Sequence, residues 1–267
     1  MKNSRIVALV AAVFVSIVAV EAQVPVDNVL RDFEPMGDYV LVINGQQAPK
    51  ATIYQSQRAA SFLIRAPQLA EPILVSPRTG SVESVSIMSL AQQPSGIVDI
   101  LADAQTTPRG SFRLDGEEVI FSLDGKELRL RPNPPLTGFH DRQDLLEHNP
   151  AYGFKASGYS PDPATVKALK GTGKDVKVRV FFGSWCPTCS RYVPLVLKVD
   201  EALEGAVDFS YYGLPKSNFQ NDPEAKKANV TGVPTIIVYV GGKEVGRLGS
   251  QDWGTPEQAI QNLIGQG

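Results

Sequence analysis

The four residues Pro132-Asn133-Pro134-Pro135 constrain what this chain can fold into more than any other stretch. Proline lacks the backbone donor that a central strand or a helix interior requires, so neither element can run on through them. The chain is therefore expected to fold as two units, and the hydrophobic rhythm differs on the two sides of the break. Before it, short apolar or alternating runs are separated by turn residues: Tyr39–Ile43 followed by Asn44-Gly45, then Thr52–Tyr54, Ser61–Ile64, Ile73–Val75 and Val82–Leu90. Such runs read as strands. Between Phe112 and Arg131, the pairs Asp115-Gly116 and Asp124-Gly125 bracket Val119–Leu123 and precede Leu128–Leu130. Both pairs accept positive φ, which predicts a two-hairpin meander. About eight strands at this spacing predict an all-β sandwich or open barrel over residues 37–131, after a polar lead-in at 23–36.

Residues 132–160 read as a polar linker carrying the chain's two histidines, His140 and His148, near Asp141, Asp144 and Glu147. Their spacing matches no metal motif, so a surface helix and loop are expected and no metal. From 161 to 267 helices and strands alternate. Asp162 caps a helix begun by Pro163, and Val176–Phe182 is a strand with little polar interruption. A helix over Cys186–Leu203, a strand at Val207–Tyr212 and a short helix at Pro223–Ala228 follow. Strands at Thr235–Val240 and Glu244–Leu248 join at Gly241-Gly242, and Thr255-Pro256-Glu257-Gln258 reads as a capping box opening a terminal helix. The fold class expected is a two-domain α+β chain whose second domain is an α/β sheet of mixed strand directions.

The N-terminus speaks to delivery. Lys2 and Arg5 precede the run Ile6–Val20, in which Ser16 is the one polar residue, and Val20-Glu21-Ala22 is a small-x-small pattern. That reads as a signal peptide over 1–22, cleaved to leave a periplasmic or secreted protein; an uncleaved anchor is the alternative. The run has 15 residues, short of the about 20 a spanning helix needs. With 26 basic and 28 acidic residues in the chain, a net charge of -2 gives no broad footprint for nucleic acid. Two cysteines, three positions apart, exclude a multi-disulfide scaffold and a four-cysteine zinc site within one chain.

Those cysteines lie in Trp185-Cys186-Pro187-Thr188-Cys189, where the buried strand turns into a helix. With Cys186 at the cap and Pro187 at the first helical position, proline's missing donor costs nothing, and the amides of Thr188 and Cys189 face the Cys186 sulfur. Helix-start amides and the positive end of the helix dipole favour a thiolate. Cys189, one turn on, can close a small disulfide with it. A purely structural disulfide would restrain the unfolded chain weakly across so small a loop, and metal binding would need two further ligands.

The stretch Val178–Cys189 resembles the strand and active-site motif of the thioredoxin superfamily, and Pro194 falls where that family's active-site helix kinks. Gly232-Val233-Pro234-Thr235 is similar to its second signature, and Gly241-Gly242-Lys243 to its usual hairpin; the resemblance covers about residues 160–265. It implies a cis Val233–Pro234 bond packed against the redox pair. It also implies Cys186 as the nucleophile, Cys189 as the resolving thiol, Trp185, Val233 and Pro234 as substrate contacts, and Pro187 and Thr188 as tuning residues, with no cofactor. Two departures stand out: Val180 replaces the buried aspartate of cytosolic thioredoxins, and Pro-Thr replaces their Gly-Pro. The resemblance points to an exported thiol-disulfide oxidoreductase, in the direction of a reductase because the motif with its leading Trp is similar to exported reductases of cytochrome c maturation. Its partners would be exported proteins with disulfides or thiols and a membrane electron donor. The rival expectation is a binding or docking protein whose β-domain engages a partner and whose disulfide is structural.

Overall fold

The computed structural model describes residues 30–266, and the expected signal peptide lies outside the described residues. The first unit is built on β1 (Glu34–Met36), β2 (Tyr39–Ile43), β3 (Gln46–Gln47), β4 (Thr52–Ser56), β5 (Ser61–Arg65), β6 (Ile73–Ser76) and β7 (Ser81–Val85). It continues through β8 (Leu90–Gln92), β9 (Val98–Ile100), β10 (Thr106–Asp115), β11 (Glu118–Leu123) and β12 (Lys126–Pro132). Ten of these form one antiparallel sheet in the order β1-β4-β5-β6-β7-β10-β11-β12-β2-β3, while β8 and β9 pair separately. Leu41 on one flank of the sheet and Ile53 on the other share a single core with Ile64, Val75 and Leu128, so the sheet curls into a half-barrel. Alternate residues of the same strands, Tyr54, Leu63, Leu74 and Val85, face the opposite way onto Phe33, Val98 and Ile100. Central strands buried on both faces explain the unbroken Ile73-Leu74-Val75 run. The open barrel is thus the form the β-rich half takes, with the β8–β9 ribbon as a small second layer.

Three details differ from the sequence expectations. Val82–Leu90 is not one strand: the Ser86 hydroxyl accepts from Met88 N at 3.3 Å and caps a short helical turn, leaving Met88 84% exposed. The lead-in is not featureless, because Phe33 is fully buried and β1 pairs with β4. Residues 132–160 are more than a linker. They form β13 (Gly138–His140), α1 (Arg142–His148) and α2 (Pro150–Ser157), and their Leu145 and Tyr152 are 0% exposed. Buried Leu145, Asn149, Tyr152 and Ala156 fall on one helical stripe. The break at Asn149-Pro150 hides that stripe from a reading of helix period.

The second unit adds α3 (Pro163–Lys170), β14 (Val176–Phe182), α4 (Pro187–Leu203), β15 (Asp208–Gly213), α5 (Pro223–Lys227), β16 (Thr235–Val240), β17 (Lys243–Arg247) and α6 (Pro256–Gln266). Its sheet runs β13-β15-β14-β16-β17, with β14 and β15 parallel and the other pairs antiparallel. On β14, Val178, Val180 and Phe182 face the core beneath α4, and Phe181 faces the one beside α5. Asp162 caps α3 as expected, its carboxylate accepting from Thr165 N at 2.7 Å. Thr255-Pro256-Glu257-Gln258 does open a helix, but Glu257 is turned inward. It accepts from Tyr159 Oη at 2.6 Å and Asp162 N at 3.2 Å, tying α6 to the start of α3.

The proline-rich crossing is pinned between the units. Asn133 N–H donates to the Asp38 carbonyl at 2.8 Å, and its side-chain amide donates to the carbonyls of Gly37 at 3.0 Å and His148 at 2.9 Å. One amide therefore ties the β1–β2 turn to the end of α1. Asn133→Ala strips two part-buried carbonyls of their donor, and unfolding free energy is expected to fall by about 1–3 kcal/mol. Urea denaturation reads this, and an unchanged midpoint would show that the clamp carries no stability.

Candidate active site

β14 delivers the chain to the site. Its last residues, Phe181 and Phe182, are fully buried, and the strand ends at Gly183, where the backbone turns into α4. Cys186 is the N-cap of α4, with φ -93° and ψ 120°, and Pro187 is the first helical residue. The Cys186 sulfur accepts from Cys189 N at 3.5 Å, which makes it the side-chain cap of its own helix. Of the two amides expected around this sulfur, that of Cys189 forms the bond.

The two thiols are free and differ in setting. Cys186 keeps 8% of its surface, whereas Cys189 has none. Burial pushes the Cys189 thiol far above its ordinary range, against the opposing effect of Gly183 N, which donates to its sulfur at 3.4 Å. The Cys186 thiol donates to the Val233 carbonyl at 3.7 Å, and the Val233–Pro234 peptide bond is cis. Pro234 is buried behind this contact and Val233 half-buried. Trp185 Nε1 donates to the Leu214 carbonyl at 2.9 Å, and its ring lies 6.1 Å from that of Phe219. A Cβ on Gly183 would sit 2.6 Å from Trp185 Cε2, so that glycine lets the indole lie over the strand end. Pro187 is exposed and Thr188 half-buried, both beside the pair in the first turn. The structure thus brings together all seven residues that the sequence marks out: Cys186, Cys189, Trp185, Val233, Pro234, Pro187 and Thr188.

Neither histidine hydrogen-bonds to either cysteine, though His148 lines the cleft beside Trp185. His140 Nε2 lies 3.0 Å from the Thr137 carbonyl and Nδ1 3.3 Å from Asp144, while burial lowers the affinity of His148 for a proton. Among the described residues, no group of His, Cys, Asp and Glu is arranged to hold a metal.

Sequence reading missed what surrounds the pair. A cleft of about 420 Å³ opens beside Trp185 and Ser184, and its far wall is the half-barrel, through Asp38, Tyr39 and Glu117. Ser184 Oγ accepts from Leu136 N at 3.0 Å, so the proline-rich crossing forms part of this rim. On the other side, α2 packs along α4, where Lys155 Nζ donates to Ser190 O at 3.1 Å and Ser190 Oγ at 2.7 Å. Tyr152, one turn earlier on α2, lies in the same core as both cysteines.

Two outcomes follow from these settings. Under brief limiting alkylation of reduced native protein near neutral pH, Cys186 is expected to be labelled before Cys189; peptide mass spectrometry decides, and preferential labelling of Cys189 would reverse their roles. The second concerns stability. A thiol whose folded-state value is raised stabilises the fold fully below its unfolded value and loses that contribution as pH rises towards the folded one. Between about pH 9 and 10, above an unfolded thiol's ~8.5, reduced wild type should lose about 1 kcal/mol per pH unit more than Cys189→Ser. Parallel pH profiles of urea unfolding for the two proteins would refute the buried-thiol assignment.

A family model described as Thioredoxin matches residues 167–264. Thioredoxin-2 of Saccharomyces cerevisiae is 34% identical over 93 residues, which is 35% of this chain and 85% of that protein. The thioredoxin of Chlamydia caviae is 35% identical over 69 residues, 26% of this chain and 62% of that one. Among solved structures, thioredoxin from Fasciola hepatica aligns at 27% identity over 38% of this chain and 92% of its own, with a TM-score of 0.29. The half-barrel and helices α1 and α2 precede the matched segment. Through that segment, which contains both cysteines and the Val233–Pro234 loop, this chain belongs to the thioredoxin family of redox proteins.

Proposed function

We propose that the protein is an exported, periplasmic thiol-disulfide oxidoreductase that reduces disulfides in other exported proteins. The observation that carries this reading is the asymmetry of the pair. Cys186 caps α4 at the surface of the site, while Cys189 is wholly buried one turn behind it. Cys186 as thiolate attacks one sulfur of a substrate disulfide, forming a mixed disulfide and releasing the other sulfur as a thiolate. Cys189, after losing its proton, attacks the Cys186 sulfur, closes the Cys186–Cys189 bond and expels the remaining substrate thiolate. The substrate gains the two electrons that the dithiol loses, and a membrane electron donor would restore the pair. Val233, whose carbonyl already faces the Cys186 sulfur, would align an extended substrate strand, with Pro234 shaping the loop and Trp185 shielding the sulfur.

The direction is supported by the leading Trp185 of the motif and by the short path from α4 to the Val233–Pro234 loop. That path holds β15 and the five-residue α5 and no large helical insertion of the kind dedicated oxidases carry. Export is supported by the basic and then apolar sequence of residues 1–22. The half-barrel is proposed to select among substrates, because it walls the cleft beside Trp185.

Two measurements test the reading. The reduction potential of Cys186/Cys189 should lie below about -200 mV, whereas a value near -120 mV would mark an oxidant and reverse the direction. Cys189→Ser removes the resolving thiol, and the chain has no third cysteine. That variant should therefore accumulate mixed disulfides with exported proteins, seen as reductant-sensitive bands on non-reducing gels. No more adducts than the Cys186→Ser, Cys189→Ser double variant gives would favour the docking alternative, with a structural disulfide.

A further inference from the structure

The helix that carries both cysteines has a gap in its hydrogen-bond ladder. Pro194 lies inside α4, buried, and it has no N–H to give. In an α-helix the donor for a carbonyl stands four residues on, so this proline deprives the Ser190 carbonyl. The rung before it is intact, with Ser190 N donating to the Cys186 carbonyl at 2.9 Å. The gap therefore falls directly behind the turn Cys186–Ser190, and both thiols lie on its N-terminal side.

That carbonyl is served from outside the helix. Lys155 Nζ donates to it at 3.1 Å and to Ser190 Oγ at 2.7 Å. Three features set this contact apart from a surface lysine at rest. The cleft in which Lys155 lies, of about 440 Å³, also presents the carboxylates of Glu34 and Asp38, yet the ammonium is docked on two neutral oxygens of one residue. A cation near the start of a helix works against the helix dipole, so the dipole does not draw it there. Water in the cleft could satisfy the carbonyl without fixing its direction, whereas Lys155 is carried by α2, whose Ala151, Tyr152 and Ala156 are buried.

We propose that Lys155 is a positioning residue for the redox pair: its ammonium replaces the amide that Pro194 lacks and fixes the turn that holds Cys189 behind Cys186. The effect falls on resolution. Cys189 attacks the Cys186 sulfur within one helical turn, and the rate of such an intramolecular attack depends on how closely the reacting atoms are held in line. Attack by Cys186 on a free disulfide does not depend on where Cys189 stands. Lys155 exchanges no proton or electron with the pair, so the bonds made and broken in each step are unchanged. Its helix precedes the segment shared with thioredoxins, residues 167–264, so the added part of the chain reaches into the second step. The proposal rests on the oxidoreductase reading and names a residue that serves its resolving step.

A double-mutant cycle with Pro194 tests it. Reduced full-length protein is mixed by stopped flow with an aromatic disulfide, at concentrations where attack by Cys186 outpaces resolution. The first aromatic thiol released reports attack, and the second reports resolution by Cys189. Lys155→Met keeps the aliphatic stem and removes the donor. Its first phase should stay within twofold of wild type, and its second should slow by about fivefold, the worth of a part-exposed hydrogen bond from a charged group. Lys155→Arg, which keeps a charged donor, should restore the second phase to within twofold. Pro194→Ala returns an amide to the Ser190 carbonyl, so in that background Lys155→Met should change the second phase less than twofold. An equal loss in both backgrounds overturns the proposal, as does a second phase that Lys155→Met leaves unchanged; either result leaves the oxidoreductase reading intact. A wild type that releases only one thiol overturns the resolving role of Cys189, and the proposal with it. Should Lys155→Met fail to fold, Lys155→Gln, whose shorter amide cannot span both oxygens, takes its place in the same cycle with the same outcomes.

Discussion

A sulfur atom in the place of a helix cap is the interaction on which this molecule turns. The amide of Cys189 is one of the first donors of α4 and has no partner inside the helix, so something outside must accept from it. In most helices a serine, threonine or aspartate oxygen does so; here the acceptor is Cys186 Sγ. For the cap to sit there, β14 must end at Gly183 with both its faces filled, and α4 must start at Pro187 without delay. The parallel β14–β15 pair, the antiparallel β16 and the packing of α4 over Val178, Val180 and Phe182 hold that strand end in place.

Much of this was legible in the sequence because the signals are local. Proline directly after Cys186, two phenylalanines before the turn, and Asp162-Pro163 ahead of an amphipathic run each state a strand end or helix start within a few residues. The meander at Asp115-Gly116 and Asp124-Gly125 was legible for the same reason, and β10, β11 and β12 pair as those turns dictate. What escaped needed information from far along the chain. Leu145 and Tyr152 sit in a stretch whose composition is polar, and only the cover provided by α4 makes them core. Glu257 looks like a helix-start carboxylate until Tyr159, ninety-eight positions earlier, turns out to donate to it. In both cases a tertiary partner outweighed local preference. Ser86 is a different case, ending a run of strand-forming residues through a local cap on Met88 N two positions ahead.

The two halves are more than neighbours on one chain. Asn133 hydrogen-bonds to both sides of the crossing, the Leu136 amide donates to Ser184 beside the cysteines, and β1 packs against α2. The half-barrel therefore sets the surroundings of the redox pair from two directions: it walls the cleft by Trp185 and backs the helix that carries Tyr152 and Lys155. An appended unit of this kind can alter which partners reach a sulfur without altering the chemistry at the sulfur.

The ends of the ten-stranded sheet have a consequence of their own. One edge is β1, three residues long with Pro35 at its centre, and the other is β3, only two residues long. A long exposed edge would offer a row of unpaired amides and carbonyls to any extended chain, including another copy of the same protein. Here the row is too short at one end, and at the other it is interrupted by proline and abutted by α2. Among the described residues, the ten-stranded sheet therefore presents little free backbone for edge-to-edge pairing at either end.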